Sequence, residues 1–328
     1  MSTPRLREAV AKEHLGKAHE LAKNKEKDKA LTSYQELIRR FSAYPTPEIR
    51  VFLTQARFDM GNILLELNRP NEALTAYNDL ISLFPDNSEP DFRSILAAAL
   101  FNKAFTLEKQ EQPEGALPAA RQATELYQQL AQTNPQEHND NLTDAQHLTT
   151  DIATLLASTL FNKAVKLHQE HLSDQAVSVY DELITLFMDD PEPAIRRLAA
   201  PTLFNKGVTL ATQRKSHEAL AVYDQLITRF ADDTGPDQRL VIAMALLNTG
   251  AALAAEHKPH EALAAYDQLI TRFADDIGSD QRLQVAKAMR NKASTLNKQN
   301  RQGEALATYN QLIRKYCDDQ TPAMGLSR

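Results

Sequence analysis

The sequence predicts an all-α fold, a right-handed α-solenoid of seven helical hairpins, and three observations predict it. The pattern Ala-Leu-x-x-Tyr-x-x-Leu-Ile-x-x-Phe recurs in phase along the 328 residues. A small residue precedes each copy at a constant distance. The eleven residues YDQLITRFADD occur twice unaltered, at 223–233 and 266–276, and an interface that repeats requires residues that repeat.

The leading alanines of the pattern are Ala30, Ala73, Ala116, Ala176, Ala219, Ala262 and Ala305, 43 residues apart except for one interval of 60. Ala73, Leu74, Tyr77, Leu80, Ile81 and Phe84 then share one stripe of a helix, the shorter helix B of each unit. Twelve residues before each alanine stands Ala18, Gly61, Ala104, Ala164, Gly207, Gly250 or Ala293. Glycine inside a helix costs propensity, so close approach of a neighbour is the expected reason. Leu21, Leu64, Leu107, Leu167, Leu210, Leu253 and Leu296 complete the buried stripe of the longer helix A.

Pro47, Pro90, Pro193 and Pro236 fall where helix A begins, a position in which the missing N–H has no partner to lose. Pro201 lies deeper and predicts a kink or break. The long interval carries seventeen extra residues, about 132–149. They are expected to extend both neighbouring helices around a polar loop near Asn134–Asn141, with Thr143 and Gln146 in capping-box spacing. The chain reads as a single array, 1–328, whose tail, 318–328, begins another unit. An open solenoid end leaves apolar surface for the tail, another copy or a longer chain to cover.

Gly207, Ala219 and Tyr223, with their counterparts in the other units, resemble the two small residues and the aromatic that mark the tetratricopeptide repeat, over roughly residues 5–317. Three departures matter. Each unit is nine residues longer than the usual one, which is expected to lengthen the start of helix A by about 13 Å. Ala120 replaces the aromatic in the third unit, and Lys103, Lys163, Lys206 and Lys292 stand where the family has leucine. The resemblance implies that the A helices line a concave groove able to hold a peptide.

Fourteen residues before the marker alanine come Asn102, Asn162, Asn205, Asn248 and Asn291, with Gly16 and Asp59 in the first two units. They resemble the peptide-binding asparagines of kinesin light chain and of chaperone carboxylate-clamp domains. Amides can bond an extended backbone without selecting its side chains; alternatively, each asparagine bonds the neighbouring A helix. The candidate groove comprises Phe101, Asn102, Phe161, Asn162, Phe204, Asn205, Leu247, Asn248, Lys287, Arg290, Asn291 and Lys298. Its middle is apolar and amide-lined and its last unit basic, which suits an extended peptide with a carboxylate near Lys287 and Arg290.

Other chemistries find little support in the sequence. With 37 basic and 43 acidic residues and no basic block, nucleic acid is not an expected partner. No signal-peptide core and no apolar run of about eighteen residues occurs, and Cys317 has no cysteine to pair with, so a cytoplasmic location without a membrane is expected. The doublets Asp189–Asp190, Asp232–Asp233, Asp275–Asp276 and Asp318–Asp319 are expected to form turns paired with Arg196, Arg239 or Arg282 rather than to bind calcium. His168–His171 and His257–His260 lack further ligands. Only nine glycines are present, with no phosphate loop or nucleophile elbow. The expected function is a non-enzymatic protein- or peptide-binding adaptor or scaffold without cofactor or metal. A solenoid that self-associates through its C-terminal end, and an accessory region of a larger enzyme or regulator, are the alternatives.

Overall fold

Helix after helix keeps the expected A–B alternation. The computed structural model describes residues 4–44, 46–84, 90–233, 235–276 and 278–316, and these hold fourteen α-helices and no strand. The A helices are α1 (Pro4–Lys23), α3 (Pro47–Glu66), α5 (Arg93–Lys109), α7 (Pro135–Gln169), α9 (Pro193–Thr212), α11 (Pro236–Ala255) and α13 (Ser279–Lys298). The B helices are α2 (Lys27–Phe41), α4 (Pro70–Ile81), α6 (Pro113–Thr133), α8 (Ser173–Phe187), α10 (Ser216–Arg229), α12 (Pro259–Arg272) and α14 (Gln302–Tyr316). Cys317 and the tail, 318–328, lie outside the described residues.

Contacts gather the chain into two compact units, Met1–Leu156 and Ala157–Arg328. Within the first, α1 packs on α2 and α3, and α4 packs on α3 and α5. Within the second, α9, α11 and α13 lie in succession, with α10 and α12 each wedged between its own A helix and the next. This is solenoid stacking: such a B helix buries its stripe twice, once inside its hairpin and once against the neighbouring unit.

Five of the six marker tyrosines, Tyr34, Tyr77, Tyr180, Tyr223 and Tyr266, are at most 1% exposed. Glycine in helix A answers to them. A Cβ added at Gly61 would stand 2.5 Å from the ring of Tyr77, and those at Gly207 and Gly250 would strike Tyr223 and Tyr266. The expectation of close approach is met, with an aromatic ring from the same hairpin as the neighbour.

Proline opens α3, α9 and α11 as expected, and Thr46 caps α3 by accepting a hydrogen bond from the Ile49 N–H at 3.3 Å. Pro90 instead starts a short 3₁₀ turn, Pro90–Phe92, that leads into α5. Helix α9 does not break at Pro201. Beside it Thr202 returns its hydroxyl to the Leu198 carbonyl at 2.6 Å, while the Arg197 carbonyl loses its N–H partner to the proline.

The inserted residues do extend both neighbouring helices, but the polar loop near Asn134–Asn141 does not exist. Helix α6 ends at Thr133, Asn134 alone turns the corner, and Pro135 opens the 35-residue α7. Asn134 donates its amide to Glu137 at 2.6 Å, and its carbonyl accepts from the Glu137 and His138 N–H groups, so one residue ends one helix and caps the next. Thr143 is consequently interior rather than a cap, and bonds back to Asn139. In this stretch Thr124 of α6 donates to the Ala145 carbonyl at 3.1 Å and meets Thr149 at 2.9 Å.

One helix among the described residues, the twenty-residue α11, holds an 18-residue stretch with a mean hydropathy of 1.3, enough by length and composition to cross a membrane. Its Ile242, Ala243, Leu246 and Leu253 belong to the core of the second unit.

Candidate functional site

The asparagines of the A helices occupy a shared environment set by the tyrosine of the preceding unit. Asn102 donates to Asn62 at 2.8 Å and to the Tyr77 hydroxyl at 3.4 Å, while Tyr77 itself donates to Asn62 at 2.7 Å. Asn248 donates to the Tyr223 hydroxyl at 3.4 Å. Asn205 and Asn291 lie close enough to Tyr180 and Tyr266 to pull their hydroxyl pKa values down against burial. Burial pushes the Tyr77 and Tyr180 hydroxyls up to about 12, against the opposing pull of the asparagine hydrogen bonds.

Asn102 and Asn248 therefore bond to the preceding repeat, but the expected bond to the neighbouring A helix is made only by Asn102, and Asn248 bonds to the preceding B helix. The bond leaves each Asn248-type amide its carbonyl oxygen as an acceptor. Asn162 differs: it is exposed, and the unit before it has Ala120 in place of tyrosine. Phe101, Phe161, Phe204 and Leu247, one residue earlier in each unit, are partly buried, as their place on the shoulder of the stripe requires. Phe204 packs against Tyr223 with ring centroids 6.2 Å apart.

Two of the four lysines that replace the family leucine act beside this ladder. Lys206 pairs with Asp181 at 2.6 Å and Lys292 with Asp267 at 2.5 Å, each reaching the residue just after the preceding tyrosine. A further tie runs between B helices: Arg229 donates to the Met188 carbonyl at 3.1 Å, Arg272 to that of Ala231, and Lys315 to that of Ala274 at 2.7 Å. A cation from one unit thus reaches carbonyls at the C-terminal end of the previous B helix, where the helix dipole favours it.

The last A helix is different in charge. Lys287, Arg290, Asn291 and Lys298 lie on one side of α13 at spacings that superpose on a helix, and Arg290 and Lys298 are exposed. None of the three cations among them has an ion pair or side-chain hydrogen bond among the described residues, whereas Lys292 on the same helix does.

The acidic doublets serve turns in part. Asp276 takes Arg239 at 2.5 Å, and Arg239 also covers the Phe273 ring at 5.0 Å. Asp190 and Asp233 accept backbone N–H groups two residues on, at 3.0 and 2.9 Å. Asp189 pairs with Arg229, not with Arg196, which shares a cavity with Asp232 and Asp233 without bonding either. Asp318–Asp319 fall outside the described residues. His168 shares a hydrogen bond of 3.0 Å with Thr209, and no cluster of three metal-ligating side chains occurs among the described residues.

Little in the sequence marks the turn geometry between the helices of each hairpin. Lys25, Asn68, Glu111, His171, Arg214, His257 and Asn300, each five residues before its marker alanine, have φ between 56° and 64°. Glycine or asparagine is expected at such left-handed positions, and only Asn68 and Asn300 supply that signal.

Tetratricopeptide-repeat models match residues 55–87, and residues 204–277 and 247–319. These segments carry tetratricopeptide repeats. No curated protein sequence matches the chain. Among solved structures, BtubC from P. vanneervenii is similar at 15% identity over 79% of this chain and 96% of that one, with a TM-score of 0.40. A kinesin light chain candidate from P. anserina with nearly identical TPR-like repeats is 11% identical over 81% of this chain and 97% of that one, with a TM-score of 0.34. For the TPR2AB domain of yeast Sti1 in its pHSP90 complex the identity is 14%, the coverage 93% and 98%, and the TM-score 0.32.

Proposed function

We propose that the chain is a non-enzymatic peptide-binding module that takes an extended, carboxylate-bearing peptide along its A helices. The observation that carries this reading is the stripe of three cations on α13, Lys287, Arg290 and Lys298. Among the described residues they have no anionic partner, while Lys206, Arg229, Arg239 and Lys292 are all paired. A peptide carboxylate would supply the missing charge. Exposed Asn162, without a side-chain hydrogen bond among the described residues, and the half-buried Phe161, Phe204 and Leu247 would contact its backbone and apolar side chains.

An array of immobilised peptides, half with free C-terminal carboxylates or acidic residues and half amidated and neutral, tests it. The chain should retain the acidic set, retention should fall with salt, and the paired change Lys287→Glu and Arg290→Glu should abolish it without altering the circular dichroism. Retention of both sets alike, or indifference to the charge reversal, would sink the proposal. In this reading the seven units act as one array in a cytoplasmic adaptor or scaffold.

A further inference from the structure

The marker tyrosine of the last unit lacks what the others have. Tyr266 on α12 is 1% exposed and Leu263 7%, because α13 lies over them. Their counterparts on α14 are open: Leu306 is 62% exposed, Tyr309 36% and Ile313 54%. They fall at spacings of three and four on one side of the helix. The sequences of the two faces are close, EALAAYDQLITRF and EALATYNQLIRKY. Among the described residues, nothing covers the second.

The molecule itself shows what such a face receives. Above Tyr77, Tyr180, Tyr223 and Tyr266 packs the next A helix, and over Tyr77 and Tyr223 its asparagine donates to the tyrosine hydroxyl. We propose that α14 is a docking face for an amphipathic helix of a partner protein that repeats this A-helix pattern, with an asparagine donating to the Tyr309 hydroxyl above an apolar stripe on Leu306 and Ile313. The face also states what the partner does not need. Asn310 stands where Asp267 holds Lys292, so no lysine is required beside the asparagine. A second copy's α1 is a poor occupant: Gly16 takes the asparagine's place, and the exposed positions around it are Lys12, Glu13, Lys17 and Glu20.

This site is separate from the peptide groove, and its test can fail alone. A fluorescein-labelled peptide of residues 279–298, blocked at both ends, would be titrated with the full chain and monitored by anisotropy. Saturable binding is expected. Ile313→Glu or Leu306→Ser in the chain should weaken it tenfold or more, and both alter exposed side chains and should leave the thermal unfolding intact. Asn291→Ala in the peptide should weaken it about two- to tenfold, the range of one neutral hydrogen bond, while Lys287→Glu in the chain should not matter. Absence of binding, or binding indifferent to Ile313→Glu, overturns the proposal. So does an Ile313-dependent dimer in sedimentation, which would make a second copy the occupant. A chain that binds only after removal of residues 317–328 overturns it in favour of the chain's own tail.

Discussion

Tyr266 and Tyr309 occupy the same place in two successive hairpins, yet one is sealed and the other is open. The difference lies in the next helix along the chain. Tyr266 is buried from one side by Ala262, Leu269 and its own A helix, and from the other by α13. Among the described residues, Tyr309 has its own hairpin alone. A repeat therefore owns only half of its core, and the second half belongs to the neighbouring repeat.

The largest test of that comparison is truncation at both sites. Tyr266→Ala should destabilise by about 3–5 kcal/mol in urea unfolding, as for a large aromatic lost from a packed seam, and Tyr309→Ala by less than about 1 kcal/mol. Similar losses at the two positions would show that the neighbouring unit adds little to the seam.

A second test uses alkali. Burial raises the hydroxyls of Tyr77 and Tyr180 to about 12, above the ordinary value of 10.0, and raises those of Tyr223 and Tyr266 as well. The folded chain then holds protons that the unfolded chain has released. The associated stability is complete below pH 10 and declines as pH rises toward 12, by up to about 1.4 kcal/mol per pH unit for each such tyrosine. Urea midpoints measured from pH 9 to 11.5 should fall, and Tyr77→Phe should flatten the slope. A slope unchanged by that substitution would contradict the burial argument.

Smaller effects sharpen the comparison between hairpin turns and repeat seams. Arg214→Gly should stabilise by about 1 kcal/mol, because Arg214 adopts a φ of 62° that a Cβ penalises. Asn248→Ala should cost about 0.5–1.5 kcal/mol by removing the bond to Tyr223. Asn162→Ala should cost almost nothing, since Asn162 is exposed and makes no side-chain hydrogen bond among the described residues. Equal costs at Asn162 and Asn248 would remove the distinction between the ladder and its gap.

Much of this fold is legible in the letters because stripes of alanine, leucine and tyrosine obey one helical period and return at one interval. The small-residue rule at Gly61, Gly207 and Gly250 is legible for the same reason, although the ring that demands it is not. The loop expected at 134–141 shows where local cues fail. Its polar residues suit a turn, but Asn134 before Pro135 ends and restarts a helix in a single residue. The asparagine ladder is visible as a recurrence while its purpose is not, since hydrophobic period says nothing about a bond between units. A constant offset of 25 residues from Tyr77 to Asn102 and from Tyr223 to Asn248 is the signal that could have revealed it. Most of the left-handed turns have no legible marker, because lysine, glutamate, histidine and arginine carry the strain where glycine would have announced it.

The twin segments at 223–233 and 266–276 bear on how such a chain can change its length. Excising residues 223–265 would join Val222 to Tyr266 and leave a hybrid helix whose tyrosine still faces Gly207 on one side and Asn291 on the other. Neither partner of that ring would meet an unfamiliar residue. The identity of the two segments makes the unit interchangeable at that point, so the number of units could be altered by a single in-frame exchange while the chemistry of the seam is inherited unchanged.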